Sequence, residues 1–217
     1  MRNIVFKCIE KIEYYLRSQI AYYCGHKYGP LGYLDKNNFS SKHDHSYFIS
    51  KVESSIESQR QTHVVRHHIR KYNGQFPIWV AIDFFSMGVI SFFYSDLDTP
   101  DRKNIVTAMY GSLSDTCLSS WLRCLTDLRN RCAHFSRLYY WRFTSIPRTS
   151  PEISSLQPKD RSLFAQILIL KRLYPEPDKW NEEPFVELEK LVDEYVGDIS
   201  LKHIGFPVDW KDFLRQS

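Results

Sequence analysis

The sequence predicts an all-α fold. Apolar residues recur at helical spacing in one segment after another, and clusters of Gly, Pro and Asn punctuate those segments. No stretch makes a credible strand ladder, and there is no internal repeat. A chain of 217 residues with 43% hydrophobic and 15% aromatic content predicts a single domain, 1–217, with a ring-rich core. The net charge of +4 permits nucleic-acid binding without demanding it. Five cysteines, odd in number and without CxxC spacing, argue against a disulfide framework or a structural zinc site. No run is apolar enough to span a bilayer, and the N-terminus lacks a signal-peptide layout. The expectation is a soluble cytoplasmic protein with no membrane partner.

In order, residues 1–23 read as an amphipathic helix, with Val5, Cys8, Ile9, Ile12, Leu16, Ile20 and Tyr23 on its apolar line and Glu13 and Arg17 as an i,i+4 pair. The helix begins at once, without a cap or lead-in, and the expectation is that this chain lacks an upstream element. Residues 26–39 are rich in turn formers and predict a loop with at most a short helical turn. Asp44 to Tyr72 reads as one long helix, ended by Asn73-Gly74. Pro77 opens a third helix, and the apolar run Ile78–Tyr94 predicts the central buried element. Thr99-Pro100-Asp101 starts a short helix through about Met109. Residues 144–158 predict loop, Lys159–Tyr174 and Glu183–Val196 helices, and Ile204–Trp210 a turn with large apolar anchors before a short terminal helix.

Leu118–Tyr140 has the strongest periodicity. At about 100° per residue, Arg123, Thr126, Asp127, Asn130, His134 and Arg137 share one face of a helix, while Leu118, Trp121, Leu125, Leu128, Cys132 and Phe135 share the other. Arg129 lies on the border, and Ala133 leaves space beside it. The bland alternative is a solvated polar face. Against it, the stripe has Arg, Asn and His in place of Lys and Glu, and these are groups that hold phosphates and move protons. Such a set can cleave RNA without a metal or other cofactor, because the ribose 2′-OH is the nucleophile. Histidine exchanges its proton, arginine clamps the phosphate, and asparagine orients. One helix supplies one His, so acid–base work from both sides predicts a homodimer meeting along the Arg129–His134 helix.

The run Arg129-Asn-Arg-Cys-Ala-His134 with Arg137-Leu138 resembles the R-N-x-C-A-H-x-x-R-L signature of the Abi (abortive infection) AbiD/AbiF-like proteins of the HEPN superfamily, whose nuclease members carry R-x4-6-H. Glu13 with Leu16-Arg17, Tyr28-Gly29-Pro30, Phe76-Pro77-Ile78-Trp79 and Ile204-Gly-Phe-Pro207 with Trp210 also resemble the family. After Leu138 many relatives have an aromatic and then Asn, where this chain has Tyr139-Tyr140-Trp141-Arg142. The resemblance implies a HEPN-like helical bundle with additional helices, and antiphage or toxin-like endoribonuclease activity of the kind found in toxin–antitoxin defence. It implies that Arg129 and His134 are catalytic, with Asn130 and Arg137 in support.

Arg60, Arg66, Arg70 and Lys71 form the best candidate for an RNA-backbone footprint beside Arg123 and Arg137, with a solvated face as the alternative. His63, His67 and His68 include metal-capable i,i+4 spacing but lack a nearby Cys or carboxylate in sequence, so a basic surface is favoured over a metal site. His43 and His45 read as structural. Tyr139, Tyr140 and Trp141 either stack on bases or pack into the core. The alternatives to a nuclease are a catalytically silent module holding a structured non-coding RNA and a non-nuclease interaction domain.

Overall fold

The computed structural model describes residues 1–150 and 161–215. The chain is all-α, and its one β pairing among the described residues is an isolated antiparallel bridge between Phe39 and Leu97. No helix is long and apolar enough to cross a membrane. The residues cluster into two compact units, one of residues 15–115 and one of residues 1–14 with those after 115. The first helix, α1 (Arg2–Tyr28), contributes to both.

In the 15–115 unit α1 runs five residues past its predicted end. Gly25 does not stop it, because His26 and Lys27 in the last turn suit the helix dipole, and Gly29 at φ 79° provides the stop. Two short 3-10 turns follow, Gly32–Leu34 and Lys36–Asn38. The long helix predicted over 44–72 is two: α2 (His45–Ser58) and α3 (His63–Tyr72). Thr62 breaks it by capping α3, its hydroxyl accepting from Val65 N–H at 3.5 Å. Asn73 at φ 51° and Gly74 at φ 73° end α3 as expected.

The apolar run 78–94 is also broken. α4 (Ile78–Ala81) passes into a 3-10 turn, Phe85 is extended, and Ser86 caps α5 (Met87–Asp96) by accepting from Val89 N–H at 3.3 Å. Arg17 accounts for the interruption. Its guanidinium donates to the carbonyls of Ile82 and of Phe85 (2.7 Å), satisfying groups that a continuous helix would use itself. α6 (Thr99–Tyr110) carries Pro100 in its first turn and stops at Gly111. Asp101, fully buried, accepts from Tyr23 Oη at 2.7 Å and from Lys27 and Tyr28. His43 and His45 are structural. His43 stacks on Phe39 and meets Asp96 at 2.9 Å, and His45 reaches the Leu34 carbonyl at 3.0 Å.

The second unit is built from the start of α1, α7 (Asp115–Ala133), α8 (Leu163–Leu173), α9 (Pro177–Trp180), α10 (Pro184–Tyr195) and α11 (Trp210–Leu214). α8 starts at Leu163 because Ser162 caps it, accepting from Ala165 N–H at 3.2 Å; Lys159 and Asp160 of the predicted helix, and 151–158 of the predicted loop, lie outside the described residues. Every residue from Leu163 to Leu170 is buried, so the element buried on all sides is α8 and not the 78–94 run. Trp180 Nε1 donates to the Leu214 carbonyl at 2.7 Å, and Lys171 Nζ donates to the carbonyls of Phe213 and Arg215 at 2.9 Å, tying α11 down. Lys7–Glu187 (3.0 Å) and Lys11–Glu183 (2.7 Å) join α1 to α10 and to the residue that precedes it; both pairs are exposed to solvent and weak.

Candidate active site on α7

The apolar face of α7 anchors the site. Leu118, Trp121, Leu125, Leu128 and Cys132 are buried, each contributing about 1.5–3 kcal/mol for the larger side chains. Trp121 Nε1 donates to the Arg148 carbonyl at 2.7 Å, and Arg148 N–H donates to Ser120 Oγ at 2.9 Å, so the chain returning after the helix is pinned to it. On the opposite face Arg123, Asn130 and His134 are exposed, at the i, i+7, i+11 spacing of one stripe. Asp127, in the same stripe, serves structure. Its Oδ2 accepts from Thr144 Oγ1 at 2.8 Å and Thr144 N–H at 3.1 Å, holding the returning loop.

The helix ends earlier than Tyr140. Phe135 takes φ 53°, Phe135 N–H bonds the Cys132 carbonyl at 3.1 Å, and Ser136 N–H bonds the Arg131 carbonyl at 3.0 Å. These two bonds are the Schellman pattern, closing α7 with Phe135 at the left-handed position that glycine usually fills. His134 is therefore the last residue before the reversal, its own N–H still bonded to the Asn130 carbonyl at 3.0 Å. Phe135, placed by periodicity on the buried face, is 77% exposed and lies under the Arg2 guanidinium at 4.7 Å.

Arg137 is consequently off the helix, and its predicted place one turn beyond His134 is corrected. It lines an apolar cavity of about 300 Å³ with Leu138, Tyr139, Leu163 and Leu191. Arg131, which no spacing rule marked, holds this segment. Its Nε donates to the Arg137 carbonyl at 3.1 Å, and its guanidinium sits 3.1 Å from the centre of the Trp141 ring. Arg129 is half-buried, with Nε 3.9 Å from Glu13 Oε2. The arrangement thus has Arg129 held against α1, and Asn130 and His134 facing outward at the helix end.

In the other unit, Arg60, Arg66 and Arg70 line one cleft of about 310 Å³ with Gln61 and Ile69. Arg60 also pairs with Glu57 at 3.0 Å, and Lys71 lies over the Tyr72 ring. His68 stacks on Phe76 and bonds the Val64 carbonyl. Among the described residues no three His, Cys, Asp or Glu side chains come together to hold a metal ion.

A family model described as Abi-like protein matches residues 1–140. The match takes in α7 and its terminal motif and stops at Tyr140, leaving the Ile204–Trp210 resemblance outside it. No curated protein and no solved structure gives a match. A family match over well more than half of the chain settles kinship: the chain belongs to the Abi-like protein family, and that membership supports a role in abortive infection.

Proposed function

We propose that the protein is a HEPN-type endoribonuclease that cleaves RNA by attack of the ribose 2′-OH, without a metal, in antiphage or toxin–antitoxin defence. One observation carries the reading. Half-buried Arg129, held by Glu13, stands one turn before an exposed His134 at the terminus of the same helix, with exposed Asn130 between them. In this reading His134 takes the 2′-OH proton. The freed oxygen attacks phosphorus, a 2′,3′-cyclic phosphate forms, and the 5′-oxygen leaves with a proton. Arg129 balances the charge developing on the phosphoryl oxygens, and Asn130 orients the phosphate. A homodimer meeting along α7 would bring the second His134 needed to protonate the leaving oxygen. Arg123 and Arg137 contact the RNA backbone.

A second reading is favoured by the Arg60–Arg66–Arg70 cleft, which suits RNA binding whether or not cleavage follows. In it the protein is a catalytically silent module that holds a structured RNA. Incubating the full chain with labelled RNA in EDTA separates the two. Cleavage lowered by about 100-fold or more in Arg129→Ala and His134→Ala supports the nuclease. Tight binding without cleavage, unchanged in His134→Ala, supports the holding module. No RNA binding at all rejects both.

A further inference from the structure

The nuclease reading leaves unused a second basic cavity, in the unit that contains α7. The Arg161 carbonyl accepts from Phe143 N–H at 3.0 Å, which clips the segment after α7 to the start of α8. Gly205, at φ 82°, lets the 201–206 turn lie flat on the same place. A Cβ at that position would come within 2.2 Å of the Ser162 side chain. Three backbone segments therefore converge on one cavity of about 430 Å³, lined by Tyr140, Trp141, Arg142, Arg161, Lys202 and His203 among others.

Among the described residues the lining contains three cationic side chains and no carboxylate. Among the described residues none of the three is ion-paired with a carboxylate. Gathering like charges in a cleft is unfavourable until an anion enters it. The capped N-terminus of α8, an 11-residue helix, adds its positive dipole end through Ser162. The aromatic wall is built rigidly. His203 accepts or donates at both ring nitrogens, to Tyr139 Oη at 2.9 Å and Tyr140 Oη at 3.2 Å, and Tyr140 stacks on it at 4.3 Å. Tyr140 takes a left-handed φ of 60°, a conformation unfavourable for a tyrosine that the surrounding contacts impose. The result presents a ring that is 55% exposed beside a cluster of cations.

We propose that this cavity binds a nucleoside phosphate, with the phosphate against Arg142, Arg161 and Lys202 and the base against Tyr140. Aromatic face plus cations is the chemistry that takes both halves of a nucleotide, and the cavity has the size of a small-ligand site. The unit bound is either a free mononucleotide or one nucleotide of an RNA strand. The inference needs neither Arg129 nor His134 and stands whether or not the chain cleaves RNA.

The test is calorimetric titration of the full chain with 5′-AMP, with inorganic phosphate, and with a short 2′-O-methyl oligonucleotide that cannot be cut. The variants are Arg142→Glu, the double variant Arg161→Ala with Lys202→Ala, and Tyr140→Asn, all at exposed positions, with helicity checked by circular dichroism. The charge variants are expected to weaken binding about tenfold or more. Tyr140→Asn keeps the left-handed backbone and is expected to weaken AMP about fivefold while leaving inorganic phosphate unchanged. An oligonucleotide that binds no tighter than AMP assigns a free nucleotide. One that binds at least tenfold tighter, with the same losses in the variants, assigns a strand. Failure of both AMP and the oligonucleotide to bind, affinities indifferent to the variants, or inorganic phosphate binding as tightly as AMP would each overturn the proposal.

Discussion

Glu13 of α1 holds its carboxylate 3.9 Å from the Nε of Arg129 on α7. The pair joins two helices that the sequence places more than a hundred residues apart, and it leaves Arg129 half-buried while His134 is exposed. With the arginine side chain still 37% exposed, the pair contributes at most about 1 kcal/mol to stability. Its value in this account is positional. Glu13→Gln is expected to lower kcat about tenfold with little change in KM or melting temperature, since the guanidinium loses its orientation rather than its charge. Steady-state cleavage kinetics check this; an unchanged kcat would remove Glu13 from the site.

Phe135 closes α7 in a conformation that costs a bulky residue about 1–2 kcal/mol, and recovers part of that through the Arg2 guanidinium 4.7 Å above its ring. Phe135→Gly removes both terms and should leave stability within about 1 kcal/mol of the parent. Phe135→Val removes the ring contact and worsens the backbone, and is expected to cost about 2 kcal/mol. Urea unfolding of the two variants measures the difference, and equal losses would count against the strained helix end.

Asp101 links stability to pH. Burial alone would raise its pKa, but donors from Lys27, Tyr28 and Tyr23 outweigh it and hold the carboxyl below its ordinary value. A depressed folded pKa stabilises the fold above the ordinary carboxylate range, and the stabilisation is lost as pH falls through the folded value. Asp101→Asn should lower stability by about 3 kcal/mol at neutral pH, through loss of charged hydrogen bonds at a fully buried group. It should also flatten the acid limb of the melting-temperature profile. Melting curves of both proteins from neutral to acidic pH decide it, and parallel profiles would contradict the assignment.

The Arg60–Arg66–Arg70 cleft predicts a salt effect. Each phosphate contact with single-stranded RNA contributes about 0.7 to the slope of log affinity against log salt, so the triple alanine variant should lower the slope by about 2. Arg60 already pairs with Glu57 and should contribute least of the three. Filter binding at several salt concentrations reads the slope directly, and an unchanged slope places the RNA elsewhere.

What sequence showed and what it hid have physical causes. α10 is legible because burial and periodicity agree in it, and α6 because Thr99-Pro100-Asp101 and Gly111 mark its two ends. The break before α3 was hidden because Thr62 makes it with a side-chain cap in a run without Gly or Pro. The break in 78–94 was hidden because its cause, Arg17, lies on another helix. In the candidate site, the stripe of Arg123, Asn130 and His134 followed from helical geometry alone. Arg137 was misplaced because Phe135 ends the helix where glycine would have announced the end. Arg131 and the Glu13–Arg129 approach depend on the returning chain and on α1, so no local pattern displays them.

The central claim is cleavage through the 2′-OH with Arg129 and His134. The most direct test places a single 2′-deoxy nucleotide at a mapped cleavage position in an otherwise unchanged RNA, assayed with the full chain in EDTA. The account predicts 2′,3′-cyclic phosphate ends from the all-ribose RNA, and loss of that one cut, with neighbouring cuts kept, in the deoxy-substituted RNA. A cut that persists at the deoxy position, or cleavage that survives in His134→Ala, would contradict it.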